Sequence, residues 1–206
     1  MKTKDKIIQA SIELFNKRGI SSVTLRDIAE KVGISIGNLA YHYKNKDFII
    51  EEIFQKMEAE RAEKLAKVEQ TPSFTNANEQ ALEIINLSIK YKFFYLDTIA
   101  ILRDYPILAQ SFRKYVHAHI RYVKTILKHA ESRKNIIPEP TENHYDTLAE
   151  SVWMIIQFYL QSETLKGSDT FKALNARNSM WSLIKPYLTE KGQQIFLQEV
   201  KQEIKL

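Results

Sequence analysis

The 206-residue sequence contains no cysteine, which excludes disulfides and thiolate metal sites. No apolar run approaches the roughly 20 residues needed to span a bilayer. The opening Met1-Lys2-Thr3-Lys4-Asp5-Lys6 leads straight into an amphipathic segment, without the apolar stretch of a signal peptide. These absences predict a soluble cytoplasmic protein with no membrane partner. Only five glycines and five prolines occur, and no glycine-rich phosphate loop or Gly-x-Ser-x-Gly elbow is among them. The five histidines form no metal-binding HxxxH or HxxH, and His117 and His119 point to nearly opposite sides of a helix. No carboxylate pair has convincing spacing for acid–base work. Nothing in the chain argues for an enzyme, a metal site or a cofactor.

What is present is helical. No strand alternation, internal repeat or low-complexity tract interrupts the pattern, and 44% hydrophobic residues suffice for a sizeable core. A first helix is expected over 3–18, with Ile8, Ile12 and Phe15 on one stripe and Ile7 and Leu14 beside it. After the segment 24–46, a helix over 46–69 carries the inner stripe Ile49, Ile50, Ile53, Phe54 and Met57. Its charged second half reads as a solvated face. A loop over 70–78, a helix over 79–104 and a Pro106-initiated helix to 132 follow. A loop with Pro138 and Pro140 then leads to helices over 144–166 and 170–187, and Pro186 bends or ends the second. A last amphipathic helix carries Ile195, Phe196, Val200 and Ile204.

Residues 24–46 are the most informative. Thr24 can cap a short helix, with Asp27 three residues on and Val23 and Ile28 at the staple positions. Gly33 can end that helix in the left-handed conformation. Ser35 caps a second helix, with Ile34 and Leu39 as its staple. A connection of only Gly33-Ile34-Ser35 forces a steep crossing, the geometry of a helix-turn-helix. If Leu39 points inward with Ile36 and Tyr43 near it, then Gly37, Asn38 and Tyr41 face outward, flanked by Ala40 and His42. Asn reads base edges, Gly admits a phosphate, Tyr offers a ring and a hydroxyl, and Lys44 and Lys46 can reach phosphates. Residues 1–50 hold nine Lys/Arg against five Asp/Glu, concentrating nearly all of the net +5 where a polyanion would bind.

The runs Thr24-Leu25-Arg26-Asp27-Ile28-Ala29 and Gly33-Ile34-Ser35-Ile36-Gly37-Asn38-Leu39-Ala40-Tyr41-His42-Tyr43-Lys44-Asn45-Lys46 resemble the DNA-binding domain of TetR-family transcriptional regulators. The match spans about the first 50 residues. It departs at Ala40, where the family usually carries an aromatic residue, and at Ile36, often a basic or polar one. The resemblance implies an all-α protein with a three-helix helix-turn-helix domain at 1–45 and a helical effector-binding and dimerisation domain at 46–206. The candidate DNA-contacting residues are Thr24, Arg26, Ser35, Gly37, Asn38, Tyr41, His42, Lys44 and Lys46.

In the larger domain, residues 152–160 are apolar almost all round, so this helix is covered on every side. The cover is either the subunit's own core or a second subunit. The resemblance favours dimerisation by the last long helices, making Ile156, Leu160, Phe171, Leu174, Asn178 and Trp181 interface candidates. Asp97 has Phe93, Phe94, Ala100 and Ile101 at helical spacing, a costly setting for an unpaired carboxylate. Arg103, Arg113 or Arg121 could neutralise it, it could sit exposed at an edge, or it could face a ligand's cation or hydroxyl. TetR-like proteins hold an effector among their central helices, which makes Tyr91, Phe94, Asp97, Tyr122, Trp153 and Gln157 pocket candidates. The expected function is a homodimeric repressor, released from a palindromic double-stranded DNA operator by a small-molecule effector. A division or nucleoid-associated DNA-binding factor without an effector is the alternative.

Overall fold

The computed structural model describes residues 2–67 and 72–200. Among these the architecture is all-α, with eleven α-helices, one 3₁₀ turn and no strand beyond an isolated bridge between Ile136 and Leu188. No helix of the described residues is long and apolar enough to cross a membrane. The first three helices, α1 (Thr3–Arg18), α2 (Leu25–Val32) and α3 (Ile36–His42), close over Ile7, Ile8, Phe15, Val23, Ile28, Leu39 and Tyr43. Helix α4 (Lys46–Lys67) runs away from this head with Ile49, Ile50, Ile53, Phe54 and Met57 all buried. The remaining helices are α5 (Phe74–Lys90), α6 (Lys92–Leu96), α7 (Thr98–Asp104), α8 (Pro106–Ser132), α9 (His144–Leu165), α10 (Ala173–Ile184) and α11 (Glu190–Glu199), with the 3₁₀ turn Lys185–Tyr187 after α10.

Helix α9 is the centre of the larger part, packed against α5, α6, α8 and α10. Ile156 and Leu160 are therefore buried in the subunit's own core rather than held out for a partner. Trp181 is likewise interior. Its ring meets Phe74 and Phe196 edge-on, and its indole N–H donates to Asn78 Oδ1 at 3.1 Å. The expected seam through Phe171, Leu174, Asn178 and Trp181 is thus split. Phe171 precedes the helix, Trp181 is core, and Leu174 and Asn178 are exposed.

The elements over 70–104 differ from the sequence expectation in two ways. The 70–78 loop ends early, because the Ser73 side chain accepts from the Asn76 N–H and starts α5 at Phe74. The single helix expected over 79–104 is three, interrupted at Tyr91 and Asp97. Asn16 of α1 makes the first break. Its Nδ2 donates to the Lys90 carbonyl at 2.8 Å and its Oδ1 accepts from the Phe93 N–H at 2.9 Å. At the second break, Thr98 Oγ1 donates back to the Phe94 and Tyr95 carbonyls, a local competition that bends helices. Asp97 stands at this break without a side-chain capping hydrogen bond and is exposed. The apolar setting expected for it is absent, because helical spacing does not run through a broken helix. Residues 68–69, 70–71 and Ile204 of the expected elements lie outside the described residues.

Candidate functional site

The head is fastened by local polar contacts. Thr24 Oγ1 accepts from the Asp27 N–H at 3.2 Å, while Asp27 accepts from the Thr24 N–H at 2.7 Å, a complete capping box. Arg18 holds the same carboxylate at 3.0 Å. The Thr24 hydroxyl, the Thr24 N–H and Arg18 together hold Asp27 well below the usual carboxylate range. Gly33 ends α2 in the left-handed region (φ 77°), where a side chain would be strained. Ser35 Oγ accepts from the Asn38 N–H at 3.1 Å and starts α3.

On α3, Leu39 and Tyr43 turn inward, and the Tyr43 hydroxyl donates to Glu52 at 2.8 Å. Ile36, expected on that inner side, is exposed instead. Gly37, Asn38, Ala40 and Tyr41 form the outer surface, and Tyr41 is 86% exposed. A Cβ added at Gly37 would meet nothing of the protein nearer than 3.9 Å. The room there faces outward, where a nucleic-acid backbone can approach. Arg26 and Lys44 are also exposed, and the half-buried His42 ring lies edge-on to Tyr41 at 5.3 Å. Together these residues make one convex strip of α3 edged by cations, suited to a major groove.

Three of the sequence candidates have internal duties. The Thr24 and Ser35 oxygens are spent on caps. Lys46 is half-buried, and its Nζ donates to the Ile20 and Val23 carbonyls at 3.0 Å each. It ties α4 to the α1–α2 loop, which leaves at most one of its three N–H groups for a phosphate.

The larger part encloses a small cavity. Its walls are Phe74, Val123, Val152, Ile156, Trp181 and Ile184, with Gln80, His119 and Tyr122 as its polar members. Its free volume is about 30 Å³, room for little more than one water, between α5, α8, α9 and α10. Of the sequence candidates, Tyr122 lines it. Gln157 is buried next to it in sequence beside Ile156, with its amide nitrogen unpartnered. Trp153 is half-buried with an unpartnered indole N–H. Tyr91 instead donates to Glu60 at 3.0 Å, Phe94 lies among Phe54, Tyr95 and Phe112, and Asp97 is exposed, so none of these three reaches the cavity. His119 was not singled out by sequence. Burial alone pushes its imidazole down to about 4, so it is neutral at pH 7.

Comparison with known proteins agrees with this geometry. Residues 7–53 match the model for bacterial regulatory proteins of the tetR family, and residues 50–196 match a TetR model described as a bacterial transcriptional repressor. The probable HTH-type transcriptional regulator YttP of Bacillus subtilis is 27% identical over 90 residues, 44% of either chain. The icaADBC negative transcriptional regulator IcaR of Staphylococcus epidermidis is 47% identical over 53 residues, 26% of either chain. The aligned stretches thus span under half the length of these curated relatives. A TetR-family regulator structure from Marinobacter aquaeolei superposes with a TM-score of 0.82 at 28% identity, covering 98% of both chains. The chain belongs to the TetR family of bacterial transcriptional regulators.

Proposed function

We propose that this regulator is a two-fold dimeric repressor that leaves a palindromic operator when a small molecule enters its core. In this reading residues 1–45 address DNA, and residues 46–206 bind the effector and a second copy of the chain. The observation that carries it is the placement of α6. Phe93 of this five-residue helix lies edge-on to Phe15 of the head at 5.5 Å and stacks near Phe54 at 6.5 Å. Asn16 grips the backbone at the start of the same helix. Two residues on, Tyr95 is buried in the larger part, its carbonyl held by the Gln161 amide. An occupant that shifts α6 therefore shifts the head. A ligand preferring the resulting head spacing must weaken DNA binding by the same factor that DNA weakens the ligand.

The second copy is expected on the outer face of α9 and α10. Met154 (47% exposed), Phe158 (41%) and Leu174 (50%) lie there among Asn175, Asn178 and Ser179. Apolar residues gathered on one surface mark an interface, and a two-fold axis brings two heads to a palindrome. The IcaR relative is named a negative regulator, which supports repression. Buried polar atoms left without partners at His119, Tyr122 and Gln157 favour an effector over a DNA-organising factor without one.

The test is selection of duplexes from a random library, followed by binding measurements with variants. Asn38→Ala is expected to relax preference at one base pair by roughly 1–3 kcal/mol. Phe158→Glu is expected to leave a folded monomer by sedimentation, with operator affinity sharply reduced. Wild-type protein that selects no sequence, or sediments only as a monomer at micromolar concentration, overturns the reading.

A further inference from the structure

Helix α3 carries little chemistry for reading guanine or cytosine. Its seven residues, Ile36-Gly37-Asn38-Leu39-Ala40-Tyr41-His42, include no Lys, Arg, Asp or Glu. Arg and Lys are the usual donors to guanine O6 and N7, and a carboxylate accepts from the cytosine amino group. Ser35, just before the helix, has its oxygen engaged by the Asn38 N–H at 3.1 Å. In the first turn this leaves the exposed Asn38 amide to bond a base edge, and an Asn amide matches adenine N6 and N7.

What α3 presents besides is apolar. Among the described residues of the head, the exposed large apolar side chains are Ile36 (55%) and Tyr41 (86%), both on this helix. At roughly 100° per residue, with Leu39 buried beneath, Ile36 and the exposed Ala40 lie one turn apart along one flank. Asn38 lies on the other flank, and Gly37 and Tyr41 form the crest between them. A glycine in a helix weakens it relative to alanine. Nothing in the fold demands one at this position, because its φ is not left-handed and a Cβ would meet only Ser35 Oγ at 3.9 Å. The space it leaves is on the outside, where it lets the flank of Ile36 and Ala40 sink toward a groove floor. Of the base edges exposed in the major groove, only thymine carries a methyl group, and apolar side chains read it by contact.

We infer that the operator half-site turns thymine methyl groups toward α3, where Ile36 and Ala40 read them. This rests on the DNA-binding reading above and names the base chemistry selected, a half-site core rich in A·T pairs and read in the major groove. The adenine match of Asn38 points the same way. Arg26, exposed on α2, can still bond a guanine, so the A·T core is confined to the base pairs beneath α3.

The experiment uses the full-length chain and a duplex selected from a random library, remade with deoxyuridine in place of each half-site thymine in turn. Deoxyuridine keeps every hydrogen-bonding group of thymine and lacks only the methyl. At the thymines beneath α3 the change is expected to weaken binding about fourfold, the worth of one buried methyl group. Ile36→Ala should leave the melting midpoint unchanged, because the side chain is exposed, and should bind the thymine and deoxyuridine duplexes alike at one of those positions. The double variant Ile36→Ala with Ala40→Ser should lose the remaining sensitivity. Gly37→Ala should melt no lower than the wild type yet bind the selected duplex at least about tenfold more weakly, since the added methyl holds α3 off the bases. The inference is overturned if deoxyuridine is tolerated at every position, if its effect is undiminished in the double variant, or if Gly37→Ala binds as the wild type does. An A·T-rich site that tolerates deoxyuridine throughout would assign the preference to groove shape and leave the DNA-binding reading intact. Failure to select any duplex would remove that reading itself.

Discussion

The head and the interior of the larger helical part handle polar groups in opposite ways. In α1–α3 the polar side chains at the helix ends and in the core find their partners nearby. Thr24 and Asp27 close on each other, Ser35 caps α3, and Tyr43 reaches Glu52. What remains unengaged there, such as Tyr41, Arg26 and Lys44, stands in solvent. Among the described residues of the larger part, Arg61, Tyr95, His119, Tyr122 and Gln157 all keep buried polar atoms without partners. Native interiors rarely tolerate such groups, and when they do the reason is commonly a ligand or water. The head is complete, and its function is on its outside. The interior keeps polar atoms that the fold itself leaves without partners, and the effector proposed above is placed there.

The contrast breaks most readily at the joint between them. Phe93 is buried against Phe15 and Phe54. Phe93→Ala should destabilise the protein by about 3–5 kcal/mol, as for large-to-small core substitutions. Effector binding in such a variant should no longer alter operator affinity. A thermal melt with unchanged midpoint, or intact coupling, would place the joint elsewhere.

A smaller effect tests the interior alone. The His119 imidazole is lowered from its ordinary value of 6.5 to about 4 by burial. The unfolded chain therefore takes up a proton below pH 6.5 that the folded chain refuses until about pH 4. The contribution is present above pH 6.5 and lost progressively as the pH falls through this window, by about 3 kcal/mol at most. His119→Gln should flatten that part of the stability profile measured by denaturant unfolding. Asp27 acts the same way at lower pH, because its carboxyl is held below its ordinary 3.8. A profile that keeps its slope in His119→Gln would mean the interior is wetter than its geometry implies.

The same contrast explains what was legible in sequence. The head's signals are short-range: a cap, a staple and a left-handed glycine lie within a few residues of the helix ends they control. The break at Tyr91 has no such marker, for no Gly or Pro lies between 79 and 104. Its hydrogen bonds come from Asn16, 74 and 77 residues away. Asp97 was misplaced for that reason. Arg61 was lost in a run of Glu and Lys, although its spacing from Ile50, Phe54 and Met57 continues the buried stripe. Only the α8 aromatics covering it distinguish it from a solvated arginine. An all-apolar helix does not reveal whether its cover is its own subunit or another, which is why Ile156, Leu160 and Trp181 are interface candidates in sequence and core residues in the structure.

The smallest expected effect separates the head's outside from its framework, using two lysines two residues apart. Lys44 is exposed and Lys46 is bonded to the Ile20 and Val23 carbonyls. Lys44→Ala removes one cation from the DNA side and nothing from the fold. It should leave the melting midpoint unchanged, weaken all duplexes similarly, and lower the salt slope of log K by about one. Lys46→Ala removes the donors of two loop carbonyls that tether α4 to the α1–α2 turn. It should lower stability first, by on the order of 1–2 kcal/mol for two hydrogen bonds to a charged donor at a half-buried site. Its salt slope should change by less than that of Lys44→Ala, because the ammonium offers at most one free N–H to a phosphate. Measuring both slopes between 50 and 200 mM salt, a range over which counterion release is readily resolved, decides the assignment. Equal loss of slope in the two variants, with equal melting midpoints, would make Lys46 a phosphate contact and its carbonyl bonds incidental.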